Sequence, residues 1–323
     1  MPILRTFPRA STASRALLIG ASDAPVILGL SPWQTPFGWW ASRQLGGDEV
    51  GNRAAVQRGK RFERVVLDWT AEEVGANEVE PGIGIDEPAL LGPEPFVASR
   101  PDGALLIDGA WEGAEVKTSR LVSMWGDEPD GVPLYYLAQV QWQLSCMPGV
   151  EAVRIGAWLP VQERLLTYRI ERDDALIARM INDVGEWFLR HVLAGETPAI
   201  DGSSIGARYL HHKHGRGSGR LRVATADERR LVLDLAAARL ATKAAKAAED
   251  ALANQLRAAI GDDDGVTFDG GKATWREQAG AMVVDTARLR EQFPAAASLC
   301  MERGEPTRVL RLSGAAMKGA IDG

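Results

Sequence analysis

The sequence predicts an α/β domain followed by a mainly helical extension. Three observations carry this. Between residues 96 and 171, short apolar-rich runs recur between turn signals, as strands do. Helical periodicities flank and interrupt those runs. From about residue 206 the composition changes, first to a Gly/Ser-rich basic stretch and then to a long Ala-rich one. The core domain is therefore placed at 1–205 and the extension at 206–323. A chain of 323 residues with 46% hydrophobic and 25% charged residues is ordinary for a globular protein and long enough to bury a core.

Residues 1–14 read as an irregular arm. In GASDAPVILGLSPW, Ser22 and Asp23 supply helix-start chemistry for a short apolar turn that Gly29 ends. In TPFGWWASRQLGG, Thr35 is the N-cap, Pro36 the first helical position and Gly46 the stop. A long helix spans about 52–75, where Val56, Phe62, Val66 and Trp69 recur at mostly helical spacing; it tolerates Gly59 and carries Glu63. Strands follow at about 96–99, 103–107 and 110–118, the last two joined by a hairpin turn through Asp108–Ala110. A helix covers about 133–146. Strands at 152–160 and 164–171 precede an amphipathic helix over 173–194, capped by Asp173 or Asp174. Residues 195–220, GETPAIDGSSIGARYLHHKHGRGSGR, lack periodicity and read as a linker or mobile loop. Twelve alanines between 236 and 259 then favour a long helix that Gly261 stops. Short strands at 266–268 and 273–276 and a helix near 286–292 complete the reading.

No run approaches eighteen apolar residues, so a membrane span is not expected. The first twenty residues lack the continuous apolar core of a secretory leader, which makes a cytoplasmic location the expectation. Two cysteines are too few for a disulfide framework, a four-cysteine zinc site or an iron–sulfur cluster. The net charge of −6 does not advertise a nucleic-acid binder, but its distribution is uneven. Residues 1–22 hold Arg5, Arg9 and Arg15 and no acid. Residues 208–222 hold four arginines and one lysine, again with no acid. Of the 37 basic residues only seven are lysine, so a lysine at a special position is informative.

The stretch WEGAEVKTSR, 111–120, carries the chemistry. As a strand it points Glu115 and Lys117 to the same side, about 7 Å apart along the chain. The hairpin brings Asp102 beside Glu115, and Glu63 lies upstream on the long helix. Two carboxylates at one spot repel, and burying either alone is costly. A hard divalent cation relieves both problems, because Mg2+ prefers carboxylates, waters and phosphate oxygens. Such an ion polarises a phosphoryl oxygen and activates a water. Lys117 is placed to hold that water or to offset charge in the transition state. The set suits phosphodiester hydrolysis, although E-x-K by itself reads equally as an exposed cross-strand charge pair.

The P-D-x12-E-x-K pattern resembles the PD-(D/E)xK nuclease superfamily. Around it the chain resembles the YqaJ-type viral recombinase family, which includes lambda exonuclease, over roughly residues 15–170. RALLIGASDAPVILGLSPW, RGKRFERVVLDW, the pair FVASRPDGAL and WEGAEVKTS, and YYLAQVQWQLSC match the family's blocks in order. The resemblance implies a restriction-endonuclease-like fold, a mixed central sheet flanked by helices. It implies Mg2+, or Mn2+, on Asp102, Glu115 and the main-chain oxygen of Val116, with Glu63 as an outer carboxylate. Lys117 is then the catalytic lysine, and Gln139 contacts the site from the following helix, on a face shared with Tyr136 and Gln143. Arg15 and Ser22 have the spacing of the pair that grips a 5′-phosphate.

The implied activity is ATP-independent 5′→3′ exonuclease action on double-stranded DNA ends in phage-type recombination. The same resemblance implies a single-strand annealing partner and a ring-shaped homotrimer. The alternatives are an endonuclease or nickase with the same site, or a non-catalytic DNA-end-binding module. In the HHKH loop, Lys213, Arg216 and Arg220 are expected to track the DNA backbone, with histidine metal binding the lesser reading. Trp33, Trp39 and Trp40 are read as core anchors, with base stacking as the alternative.

Overall fold

The computed structural model describes residues 2–10, 17–46, 53–127, 131–302 and 308–313. They form two compact units, Met1–Lys213 and His214–Gly323.

The first unit begins with an irregular arm whose described part, 2–10, is firmly anchored. Buried Glu80 accepts hydrogen bonds from the Leu4 amide (2.9 Å) and from the Arg5 guanidinium (2.8 Å), and Leu4 is fully buried. Helices α1 (Ala24–Ile27) and α2 (Pro36–Gln44) follow. Thr35 caps α2 through the Gly38 amide, as its sequence predicts. Asp23 stands at the α1 N-cap without capping it. Its carboxylate accepts instead from the Gly20 amide and the Trp39 indole, at 3.0 and 2.8 Å.

Helix α3 (Arg53–Glu73) leads to strand β1 (Glu78–Pro81), and a two-residue pair, β2 (Leu90–Leu91) and β3 (Ala98–Ser99), lies apart from the main sheet. Strands β4 (Gly103–Ile107) and β5 (Ala110–Thr118) form the predicted hairpin. Its two turn residues, Asp108 (φ 48°) and Gly109 (φ 81°), both adopt the left-handed conformation that two-residue hairpins demand. Helix α4 (Leu134–Ser145) is the crossover that lets β6 (Ala152–Leu159) run parallel to β5. β7 (Arg164–Glu171) closes the five-stranded order β1-β4-β5-β6-β7, antiparallel except for β5–β6. This is the mixed, helix-flanked sheet the sequence predicts. Helix α5 (Asp174–Phe188) is capped by Asp173, which accepts from the Leu176 amide, and ends in a π-helical turn, Leu189–Leu193.

The sheet buries both faces. On one side Ala114, Val116 and Leu105 pack against Val66, Leu67 and Ala71 of α3. On the other lies the main core, which includes Ala104, Val153, Ile155 and Ala157 with Val140, Trp142 and Leu144 of α4. Helix α3 sits so low on the sheet that a Cβ added at Gly156 would meet Thr70 Oγ1 at 1.9 Å. Gly156→Val is therefore expected to destabilise the fold by about 1–3 kcal/mol. In a unit of this size that is a fall of several degrees in Tm, measurable by circular dichroism.

Residues 204–214, expected to be a linker, are helix α6 (Ser204–His214). Tyr209 is buried edge-on against Phe37 (5.8 Å) and Trp40 (5.1 Å), and Ser203 Oγ accepts from the Gly206 amide. Those tertiary contacts supply an order that composition concealed. Irregular chain persists at 215–225.

In the second unit α7 (Ala226–Ile260) carries a capping box between Thr225 and Glu228 and ends at Gly261 (φ 61°). A hairpin of β8 (Gly265–Phe268) and β9 (Gly271–Thr274) and helices α8 (Thr286–Gln292) and α9 (Pro294–Cys300) follow. β9 starts two residues before its predicted position, and α9 was not expected. Among the described residues, Ala236, Ile260 and Ala297 are the buried apolar side chains of this unit.

Candidate active site

Strand β5 places Glu115 and Lys117 on the sheet face opposite α3, paired in register with Ile155 and Ala157 of β6. Glu115 is only 2% exposed. A carboxylate so deep needs donors, and α4 provides them. Gln139 Nε2 donates to Glu115 Oε1 at 2.6 Å, and Gln143 Nε2 donates to Oε2 at 2.5 Å. Lys117 Nζ also donates to Oε1. The face predicted from the spacing of Tyr136, Gln139 and Gln143 is thus the face that meets the strand. Gln143, weighed in the sequence only as a weaker companion of Gln139, is a full partner. Its own Oε1 is buried without a hydrogen-bond partner.

Asp102 stands at the entry to β4, and its Oδ2 accepts from the Val116 amide at 2.9 Å, so the hairpin brings it to Glu115 as predicted. Burial first, and then the Glu115 charge, push the Asp102 carboxyl well above the usual carboxylate range. Burial alone would lower the Lys117 ammonium. The Glu115 and Asp102 carboxylates, with the hydrogen bond to Glu115, outweigh it and hold Lys117 above its ordinary value. Glu63, on α3, is exposed yet coupled to the same cluster. Partial burial and Glu115 raise its carboxyl, while Lys60 and Lys117 pull the other way.

Among the described residues, no three His, Cys, Asp or Glu side chains gather closely enough to hold a metal ion by themselves. The set is two mutually repelling carboxylates, Asp102 and Glu115, with Glu63 standing off. That fits Mg2+, which is commonly held by one or two carboxylates with waters and substrate phosphate completing its shell. A cation there would offset the Glu115 charge, which after burial is the second cause raising Asp102.

An aromatic wall, not anticipated from the sequence, surrounds the lysine. Lys117 Nζ lies 4.8 Å from the centre of the Tyr136 ring. Tyr136 stacks on Trp125 (5.4 Å), which stacks on Tyr168 (5.7 Å). Tyr135 and Tyr136 share a hydrogen bond between their hydroxyls, and burial raises both phenols. The only local sign was the doublet YY at the start of α4. Of the three tryptophans read as core anchors, Trp39 and Trp40 are buried, at 3% and 5%, but Trp33 is 63% exposed.

The remaining candidates are less gathered. Arg15 lies outside the described residues. Ser22 is exposed in the turn before the single-turn helix α1. Lys213 lies in the last turn of α6 with its ammonium over the Tyr209 ring at 5.6 Å. Arg216 and Arg220 are exposed in the irregular stretch of the second unit. No helix among the described residues is long and apolar enough to cross a membrane.

The uncharacterised protein YqaJ of Bacillus subtilis (strain 168) is 26% identical over 282 residues, covering 85% of each chain. Among solved structures, an alkaline exonuclease of Laribacter hongkongensis aligns at 23% identity over 62% of this chain and 95% of its own, with a TM-score of 0.43; a second structure of that enzyme holds dAMP. A phage-related exonuclease of Haemophilus somnus 129PT aligns at 12% identity over 55% of this chain and 96% of its own, with a TM-score of 0.41. Residues 12–148, which contain Glu63, Asp102, Glu115, Lys117, Gln139 and Gln143, match the model of the YqaJ-like viral recombinase domain.

Proposed function

We propose that this protein is a metal-dependent, ATP-independent deoxyribonuclease that degrades double-stranded DNA from its ends, 5′→3′, in phage-type homologous recombination. One observation carries the reading: Asp102, Glu115 and Lys117 meet at β5, Asp102 accepting from the Val116 amide and Glu115 from Lys117 and from Gln139 and Gln143 of α4. The YqaJ-like domain supplies the recombination context.

Asp102, Glu115 and the main-chain oxygen of Val116 would hold Mg2+ or Mn2+, with Glu63 as the outer carboxylate. When bound, the ion supplies Lewis-acid polarisation of the phosphate and an acidified water. The chain's own groups do the rest. Gln139 and Gln143 fix the Glu115 carboxylate in one orientation. Lys117, hydrogen-bonded to Glu115 and beside Asp102, is placed to donate to a phosphate oxygen or to the attacking water. The Tyr136 ring face steadies that cation. Arg15 and Ser22 are assigned to the 5′-phosphate, and Lys213, Arg216 and Arg220 to the DNA backbone. A homotrimer and a single-strand annealing partner complete the proposal.

The test is digestion of linear duplex labelled at the 5′ or the 3′ end, with and without Mg2+ and a 5′-phosphate. The expected result is Mg2+-dependent early release of the 5′ label, faster with the phosphate present. Cutting of covalently closed circular duplex would overturn the exonuclease assignment in favour of an endonuclease. Binding of ends without hydrolysis in any divalent ion would reduce the protein to an end-binding module.

A further inference from the structure

We propose that the exposed indole of Trp33 is a stacking platform for a DNA base beside the active site. The proposal rests on the nuclease reading above and names a strand contact for it. Three tryptophans lie within eight residues of one another in this segment. Two are buried, whereas Trp33 keeps 63% of its surface in water. A side chain that large gains much by being covered, so leaving it bare costs stability unless something covers it.

The indole is also held. Its ring meets Tyr135 edge-on, with centroids 4.7 Å apart at 83°, and lies 6.3 Å from Tyr136. The Trp33 amide donates to Ser31 Oγ at 3.3 Å. A ring fixed by neighbours on one side and open on the other is preorganised for stacking.

Its position ties it to the chemistry. Tyr136, the second ring it approaches, lies 4.8 Å from Lys117 Nζ, and Lys117 is hydrogen-bonded to Glu115. Two contacts, of 6.3 and 4.8 Å, therefore connect the indole to the ammonium proposed to meet the phosphate. At ~3.4 Å per nucleotide along a strand, the platform serves a base within about three nucleotides of the scissile phosphate. Stacking tolerates any sequence, because every base has a π-face. That suits an enzyme that must digest whatever sequence follows an end, and it requires the base to be unpaired from its partner strand.

The experiment uses the full chain and linear duplexes carrying 2-aminopurine at the first, second, third or sixth nucleotide of the digested strand. Binding is read by fluorescence with Ca2+ in place of Mg2+, and turnover with Mg2+. The expected result is quenching at one of the first three positions in the wild type, lost in Trp33→Ala and retained in Trp33→Phe. KM should rise about 5- to 150-fold in Trp33→Ala, with the loss falling on KM more than on kcat. Should the alanine variant not fold, Trp33→Leu against Trp33→Phe decides the matter on the same readouts, and equal behaviour of the two overturns the platform. Wild-type digestion with an unaffected Trp33→Ala variant overturns the platform alone. A wild type that digests no DNA overturns the nuclease reading and the platform with it.

Discussion

Lys117→Met is expected to reduce single-turnover DNA hydrolysis by at least about 10²–10³-fold, the loss seen when one preorganised transition-state donor is removed. Lys117→Arg is expected to fail almost as badly. The ammonium sits in a pocket made by the Tyr136 ring and the Glu115 carboxylate, with Asp102 adding its charge. A compact point charge on a flexible stem fits there, whereas a planar guanidinium would carry its charge further and present donors in a fixed fork. In a chain with 30 arginines and seven lysines, lysine at 117 is thus a chemical choice. Both variants should fold, since Gln139 and Gln143 still satisfy Glu115. Circular dichroism checks folding, and gel-shift assays check retained DNA binding. An arginine variant within tenfold of wild type would sink the role given to Lys117.

Asp102→Asn should separate stability from activity in opposite directions. In the metal-free protein the Asp102 carboxyl is buried beside Glu115, and both burial and that neighbour oppose its charge. An amide of nearly the same shape removes the repulsion and keeps an oxygen to accept from the Val116 amide. The metal-free variant should therefore gain about 0.5–2 kcal/mol, the usual return from relieving a functional site of its strain. That is a rise of several degrees in Tm. Wild-type protein should gain stability on adding Mg2+, because a ligand bound only by the folded state stabilises it by RT ln(1 + L/Kd), where L is the free ligand concentration. Asp102→Asn should lose most of that gain and all measurable hydrolysis. Scanning calorimetry with and without Mg2+, beside an end-label release assay, checks both halves. A variant that is less stable than wild type without metal, or that digests DNA normally, would remove Asp102 from the site.

Much of the local structure was legible because it is made by neighbours in the chain. Thr35 and Pro36 start α2, and Asp108 and Gly109 turn the hairpin. Each acts within about four residues, so each has a readable spacing. β1 was missed for the opposite reason. Glu78–Pro81 contains two glutamates and a proline, a composition suited to a sheet edge and poor in the usual strand signal. α6 was missed because Tyr209 finds its partners in Phe37 and Trp40 of a distant helix, and nothing in the basic, glycine-rich stretch announces that.

The candidate site divides along the same line. The sequence by itself determined that Glu115 and Lys117 share a strand face, that a hairpin returns Asp102 to them, and that Tyr136, Gln139 and Gln143 share a helix face. These follow from the two- and 3.6-residue periods of the backbone. Only the tertiary structure decided that this helix face meets that strand face, that Gln143 matters as much as Gln139 to Glu115, and that Trp33 stays in water beside Tyr135 while Trp39 and Trp40 are buried against Trp187 and Tyr209. The physical reason is that periodicity fixes which residues point together along one element, whereas the packing of one element on another depends on shape and burial summed over the whole core.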